Sequence, residues 1–486
     1  MKKQRTHPIM LVQFVWRFLF LLILPVLRGF WAAASGGSLS GWLSGAWMDL
    51  LSVFSIFALA FLQWWCLTYQ ATAEGLLVES GIFFRRSFQI PNRRVTTLTV
   101  VRPFYLKPFG AVYLRADTLA GGVERTDLTL TLSRKKAREI LEERRENLCR
   151  GGWTERTLHP GKASIAFLSA ALSSSLAGVV FFATFISQAG SLLGEEFSDR
   201  IYGTFERFTK AMAWGLPPAT AALAYLLLFG WLFTFVRNLV RHIPFQVSRA
   251  KDALSIRGGC ITDRVYSVRV RDINFVDIRQ TVLARMLRLH SAFIHAVGYG
   301  KAKDDVSAVI PACRRPEMLR QLRMILPEFT LTPRQAKPNF GAWMRFVMDA
   351  LWPCLLLPAA TWALASWFPS WRDFALFTGI MACVPAYWFL TVRLIDFATS
   401  GIGRTGDCYT LRYSSGYSLH TVVLPKSHVA RILLRQSPIQ MLDDRCDIKI
   451  YSTAENHRVH HIRNIDRKEA IAVLDIDWKD GEDKTR

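Results

Sequence analysis

Leu158-His159-Pro160-Gly161-Lys162-Ala163-Ser164-Ile165-Ala166-Phe167-Leu168 carries a polar approach, a His-Pro step and the beginning of a long apolar run. The same succession stands at Thr6-His7-Pro8, ahead of an apolar run from Phe14. It recurs in modified form at Ala336-Lys337-Pro338, ahead of one from Phe346. Proline at the start of a helix gives up only an amide that lacks an intrahelical partner there, so it marks a beginning. Three such beginnings at long spacing are read as three copies of one unit. Outward from each, the unit is two apolar spans and then a basic stretch.

Runs of about 20 mostly apolar residues are long enough to cross a bilayer. Six fall in pairs: residues 14–34 with 50–67, 163–186 with 212–235, and 346–368 with 374–394. The composition agrees, since 51% hydrophobic residues and a formal net charge of +23 rarely meet in a soluble globule. Of 61 Lys and Arg, 54 lie in the tail 1–10 and in the blocks 68–162, 237–341 and 393–486. The three short connections hold none, three and one, so the blocks and both termini are expected on the cytoplasmic side of the cell membrane. The apolar run near the N-terminus is followed by Arg28 and a second long run, which predicts a membrane hairpin rather than a cleaved leader. The eight cysteines are scattered without CxxC spacing and are expected reduced.

Inside the basic blocks the units align again. Ile90-Pro91-Asn92-Arg93-Arg94-Val95 matches Leu424-Pro425-Lys426-Ser427-His428-Val429, with a degenerate Val270-Arg271-Asp272-Ile273-Asn274-Phe275 between them. Upstream of each, period-two alternation ends in a glycine turn, at Gly81, Gly258-Gly259 and Gly416, which predicts a β-hairpin. Further strands follow at 111–116 and 447–452. Each block then closes with a short helix, for which Ser133 and Asp466 are expected N-caps and Pro316 a first-turn proline. Short strands plus one terminal helix describe a small, strongly bent sheet or barrel plugged by that helix.

These features resemble a known family: bacterial membrane proteins with pleckstrin-homology-like (PH-like) domains, of the YdbT-like type. The features are the His-Pro before a hairpin, the glycine turn, the Ile90 to Val95 signature and Arg435-Gln436-Ser437-Pro438-Ile439-Gln440. The expected fold class is an integral membrane α-helical protein with about six transmembrane helices as three hairpins. It carries three small cytoplasmic PH-like β-barrel or sandwich domains, each with a C-terminal helix. The expected division is a tail and hairpin at 1–67, domains at 68–160, 241–330 and 396–486, and hairpins at 161–240 and 331–395. The resemblance implies a smaller PH-domain membrane protein as partner and suggests a setting in envelope defence or export. It supplies no catalytic residue.

Candidate sites are few. No P-loop, GxSxG or HExxH is present, so no catalytic residue, cofactor or metal site is expected and the chain is read as non-enzymatic. His457, His460 and His461 lack an acidic or Cys ligand at matching spacing. They are expected on an exposed strand face or turn, with Val459 and Ile462 inward. Asp349 is an intramembrane polar residue, expected at the interface or paired with Arg345 one helical turn away. Arg85, Arg86, Arg93 and Arg94 form the densest basic cluster, a candidate site for anionic membrane lipids or a protein partner. Nucleic acid is not expected, because the charge follows membrane sidedness. The leading functional expectation is a membrane scaffold; the alternative is a transporter or channel subunit, disfavoured by the few polar residues within the spans.

Overall fold

The computed structural model describes residues 3–18, 39–72, 74–82, 84–120, 126–149, 154–173, 199–200, 203–204, 206–207, 218–299, 308–455 and 457–475. The first unit contains β1 (Gln4–Arg5), α1 (Met10–Phe18), α2 (Leu39–Cys66), β2 (Thr68–Ala71), β3 (Gly75–Ser80), β4 (Arg86–Pro91), β5 (Val95–Arg102), β6 (Ala111–Thr118), β7 (Leu128–Ser133) and α3 (Arg134–Leu148). The second contains β8 (Arg156–Leu158), α4 (Lys162–Ala171), α5 (Pro218–His242), β9 (Phe245–Ala250), β10 (Ala253–Gly258), β11 (Asp263–Arg269), β12 (Ile273–Thr281), α6 (Val282–Met286), β13 (Leu289–Ala296), β14 (Ala308–Arg314) and α7 (Arg315–Ile325). The third contains α8 (Trp343–Trp367), α9 (Arg372–Thr399), β15 (Gly401–Thr405), β16 (Cys408–Ser415), β17 (Ser418–Pro425), β18 (Val429–Arg435), α10 (Pro438–Leu442), β19 (Arg445–Ser452), β20 (Val459–Asp466) and α11 (Arg467–Leu474).

The His-Pro and Lys-Pro marks have a structural meaning. The residues just before each mark pair with the strand that follows the hairpin: β1 with β2, β8 with β9, and Ala336 with Ile402. The two ends of each segment that the sequence reads as a hairpin are therefore clamped by backbone hydrogen bonds at one sheet edge. The turn glycines Gly81, Gly259 and Gly416 all take positive φ, which a residue with a Cβ adopts only at a cost. Ser133, Asp466 and the first-turn proline of α7 stand where the sequence places them, although only Asp466 makes the side-chain cap, to the amides of Lys468 and Glu469.

The three domains are not separate globules. The second sheet of the first domain continues into the first sheet of the second, in the order β7-β6-β5-β11-β10-β9-β8. The same join recurs one domain later as β14-β13-β12-β17-β16-β15. Each shared sheet is covered on both faces: Val276, Ile278 and Val423 face the second core, whereas Phe275, Val422 and Leu424 face the third. Removing such side chains from water contributes about 1.5–3 kcal/mol each, so the joins are apolar contacts as well as ladders. Among the described residues, the outermost sheets are β1-β2-β3-β4 and β18-β19-β20.

The β5, β12 and β18 starts align Val95, Ile273 and Val429, which shifts the expected alignment by two residues. Arg269, not Arg271, occupies the place of Pro91 and Pro425. Its guanidinium donates to the carbonyls of Arg93 and Asn92 at 2.8 and 3.0 Å, so the missing proline is replaced by a bolt across the first join. At that same join Gly298 has φ +79°, and an added Cβ would lie 2.3 Å from the Asp117 Cβ.

Two segments among the described residues are long and apolar enough to cross a membrane, Phe340–Trp367 and Pro369–Thr399. They contain the third expected hairpin, whose second helix runs on to Thr399. Helices α2 and α5 cover the second expected span and most of the fourth, while much of the first and third spans lies outside the described residues. Helix α8 holds Pro353 and Pro358 in its interior. Pro358 has no amide to offer the Cys354 carbonyl four residues earlier, and Tyr387 of α9 donates its hydroxyl to that carbonyl at 3.3 Å. Such a repair by a neighbouring helix is what makes an interior proline tolerable in lipid.

Candidate functional site

The four arginines singled out in the sequence are all exposed but do not form one cluster. Arg85 and Arg86 stand at the start of β4, and Arg93 and Arg94 in the turn beyond its end. Between them runs a six-residue strand, about 17 Å of extended chain. Arg85 is also partly neutralised by Glu79, 3.2 Å away, which takes Lys3 as well at 2.7 Å.

Asp349 is not paired with Arg345. Its Oδ2 accepts from Arg393 of α9 at 2.9 Å and from Arg463 of β20 at 3.0 Å. Arg393 also donates to Ser414 at 2.7 Å, and Ser414 donates to Asp396 at 2.8 Å. Arg345 reaches Asn464 instead, at 3.3 Å. A chain of charge-assisted bonds therefore fastens the membrane hairpin to the third domain. The turn-spaced pairing expected from sequence gives way because Arg393 and Arg463 converge from other elements.

The histidines meet the expectation in part: His457 is exposed and Ile462 buried, but the other positions differ. Val459 is exposed and His460 fully buried. The His460 ring meets Phe275 edge-on, and its Nδ1 lies 2.9 Å from the Tyr413 hydroxyl. His295 stacks on Phe275 with ring centroids 4.3 Å apart. Burial pushes His295 down to about 3 and His460 to about 4. Beside them, burial works to raise the Asp277 carboxyl, but the His420 hydrogen bond and the His420, Arg279 and His295 charges hold it well below the usual range. Among the described residues no group of three or more His, Cys, Asp or Glu is placed to hold a metal ion.

The most site-like feature follows from the second shared sheet. Between its β12, β17 and β16 strands and the covering helix α7 lies a cavity of about 610 Å³, within the range of small-molecule sites. Arg285, Arg315, Arg323, Arg334 and Arg412 line it, together with His290 and His420, and no Asp or Glu does. Helix α7 contributes Arg315, Met318, Leu319, Leu322 and Arg323, one face at helical spacing. Thr399, the last residue of α9, brings the foot of the membrane hairpin to the wall. Arg412 donates to the Thr332 carbonyl while its Nη1 is buried without a partner. Burial, followed by the nearby Arg334 and Arg315 charges, pushes it down to about 10, so it stays charged at neutral pH. A concave wall of five arginines with no carboxylate among its lining residues is chemically a receptor for an anion, above all for one with several oxygens in reach of guanidinium forks.

The equivalent space over the first shared sheet measures about 240 Å³ and includes Glu142 opposite Arg138, Arg145 and Arg257. The two joins share a geometry but not a charge. The five arginines are spread from 285 to 412 and have no contiguous signal in the sequence. The spacing of Arg315 and Arg323, flanking an apolar stripe on α7, is the one trace that sequence reasoning had within reach.

Comparison with known proteins completes the picture. The family described as Bacterial PH domain matches residues 11–147 and 196–327, more than half of the chain. The chain belongs to this family. The bacterial PH domain assignment agrees with the paired sheets and terminal helices described above. The chain is also 23% identical over 428 residues, 78% of its length, to the "UPF0699 transmembrane protein YdbT" of Bacillus subtilis (strain 168), covering 84% of that protein. No solved structure matches. With α8 and α9, these likenesses make the chain a membrane protein with bacterial PH domains.

Proposed function

We propose that the chain is a non-enzymatic membrane scaffold. In this reading six spans, paired as three hairpins, hold a row of PH-like domains against the cytoplasmic face, and the cavity over the second shared sheet captures a phosphate-bearing anion. The observation that carries it is the wall of five arginines without a carboxylate at the foot of the third hairpin. A lipid headgroup and a free phosphate share that chemistry, and closeness to Thr399 favours the headgroup. Three charged residues of the hairpin, Asp349, Arg393 and Asp396, form one network with the third domain, which supports an anchor over a polar transport path. A smaller PH-domain protein remains the expected partner of the scaffold.

The test uses the full chain in detergent. An anion bound at a hundred times its Kd stabilises the folded state by about 2.7 kcal/mol, so its melting temperature should rise on adding inorganic phosphate, glycerol 3-phosphate or phosphatidylglycerol micelles. Arg315→Ala with Arg323→Ala removes two exposed cavity arginines and should abolish that rise while leaving the anion-free melting temperature nearly unchanged. A rise with phosphatidylglycerol alone identifies the headgroup; a rise with inorganic phosphate of equal size identifies a free phosphate. An undiminished rise in the double variant would refute the cavity as the site.

A further inference from the structure

The two shared sheets are built in one register. At the first join Ser267 faces Leu98, Tyr266 faces Thr99, Val265 faces Val100 and Arg264 faces Val101. At the second, Val423 faces Val276, Val422 faces Asp277, Thr421 faces Ile278 and His420 faces Arg279. Aligned on the strand starts Val95 and Ile273, these are the same four pairs. In both, the last strand of one domain's first sheet lies antiparallel to the first strand of the preceding domain's second sheet. Among the described residues the rule leaves one strand of each kind unmatched: β4 pairs with β3 alone and β18 with β19 alone.

We propose that β4 of one copy of this chain adds to β18 of a second copy, head to tail, in the register of the two internal joins. Transferring that register sets Gln89 opposite Ile432, Phe88 opposite Leu433, Ser87 opposite Leu434 and Arg86 opposite Arg435. Both strands are competent. Pro91 ends β4 as Pro425 ends β17, and the β12–β17 ladder forms beside Pro425. Gln436 and Ser437 follow β18 where Gln280 and Thr281 end β12, and Ser437 and Thr281 both cap the next short helix. An unmatched edge offers a row of backbone donors and acceptors to any strand of the right geometry, and the chain itself carries the strand that fits each end.

The join between copies differs from the internal ones in side chains. Gln89 replaces Val423, and Leu433 replaces Asp277, the carboxylate that takes both Arg279 and His420 at the second join. Arg86 and Arg435 therefore meet with no carboxylate in the place of Asp277, which makes this contact weaker and reversible. An opposite-charge pair in place of a like-charge pair across a ladder shifts association about fivefold.

The experiment uses two differently tagged full-length copies in reconstituted membranes, one with Phe88→Cys and the other with Leu433→Cys, oxidised briefly. A mixed-tag disulfide is expected; the shifted pairing of Phe88→Cys with Arg431→Cys should give far less, and chains without added cysteines set the background. Placing Arg86→Glu in the Phe88→Cys copy should raise the yield about fivefold, and adding Arg435→Glu to the other copy should return it toward the starting level. Equal yield at the shifted position, or a fall with Arg86→Glu, would overturn the proposal. Capture of Phe88→Cys by a different, smaller PH-like chain to the exclusion of the second copy would do so as well. These outcomes do not involve the arginine cavity, so either proposal can fail alone.

Discussion

Lowering the pH should loosen the contact between the second and third domains, because His295 and His460 are buried there in neutral form. Their folded values, about 3 and about 4, lie below the ordinary 6.5. The unfolded chain takes up these protons as pH falls through 6.5 and the folded chain does not. The stabilisation is therefore complete above 6.5 and is lost progressively toward pH 4. At pH 5, about 1.5 units below the unfolded value, the loss at about 1.36 kcal/mol per unit is about 2 kcal/mol for each histidine and about 4 together. Asp277 works over another window: its stabilisation is lost only as pH falls through its own depressed value, so it adds little between pH 7 and 5. A loss of this size lowers the melting temperature of a domain pair by roughly 10 °C. Far-UV circular dichroism of the full chain in detergent, melted at pH 7 and pH 5, reads it. His295→Gln with His460→Gln should start less stable at pH 7 but show less than half the difference between the two pH values. An unchanged difference would refute the assignment to these two rings.

Other consequences are open to measurement. Asp349→Asn removes the negative charge shared by Arg393 and Arg463; a loss of about 1–3 kcal/mol, with faster proteolysis of the third domain from the hairpin, is expected, and wild-type protease resistance would count against the anchor. Tyr387→Phe leaves the Cys354 carbonyl without its donor and should cost the α8–α9 pair about 1 kcal/mol, visible as easier thermal unfolding in detergent but not as a change in the second domain. Gly298→Val drives a side chain into Asp117 and should open the first join, exposing the β5 and β11 edges to rapid amide hydrogen exchange; protection equal to wild type would sink that account.

Much of the architecture was legible because it rests on local chemistry repeated three times. The His-Pro marks, the turn glycines and the cap at Asp466 each reflect a backbone requirement that few residues meet, and all stand where expected. The sharing of sheets was missed, since a strand that pairs with a neighbouring domain uses the same residue types as one that pairs at home. A trace existed in Val422-Val423-Leu424, three apolar residues in succession where a one-faced strand should alternate. The cavity was harder still, because its arginines come from three elements and a linker and meet only after the second join has formed. The reading of Asp349 failed for a related reason: neighbours along a helix are visible in sequence, whereas Arg463 arrives from 114 residues away.

Sheets that span two domains change what a domain boundary means. Cutting the polypeptide between α3 and β8, or between α7 and α8, would sever no helix or strand, yet it would strip half of a ladder from each product. A fragment made to be soluble by leaving out the membrane hairpins would thus carry a fresh adhesive border and a bare apolar face, and would be expected to clump. The smallest piece that behaves like the native molecule is consequently the entire row, and any truncation that removes a neighbour is better judged as a lesion than as an isolated module.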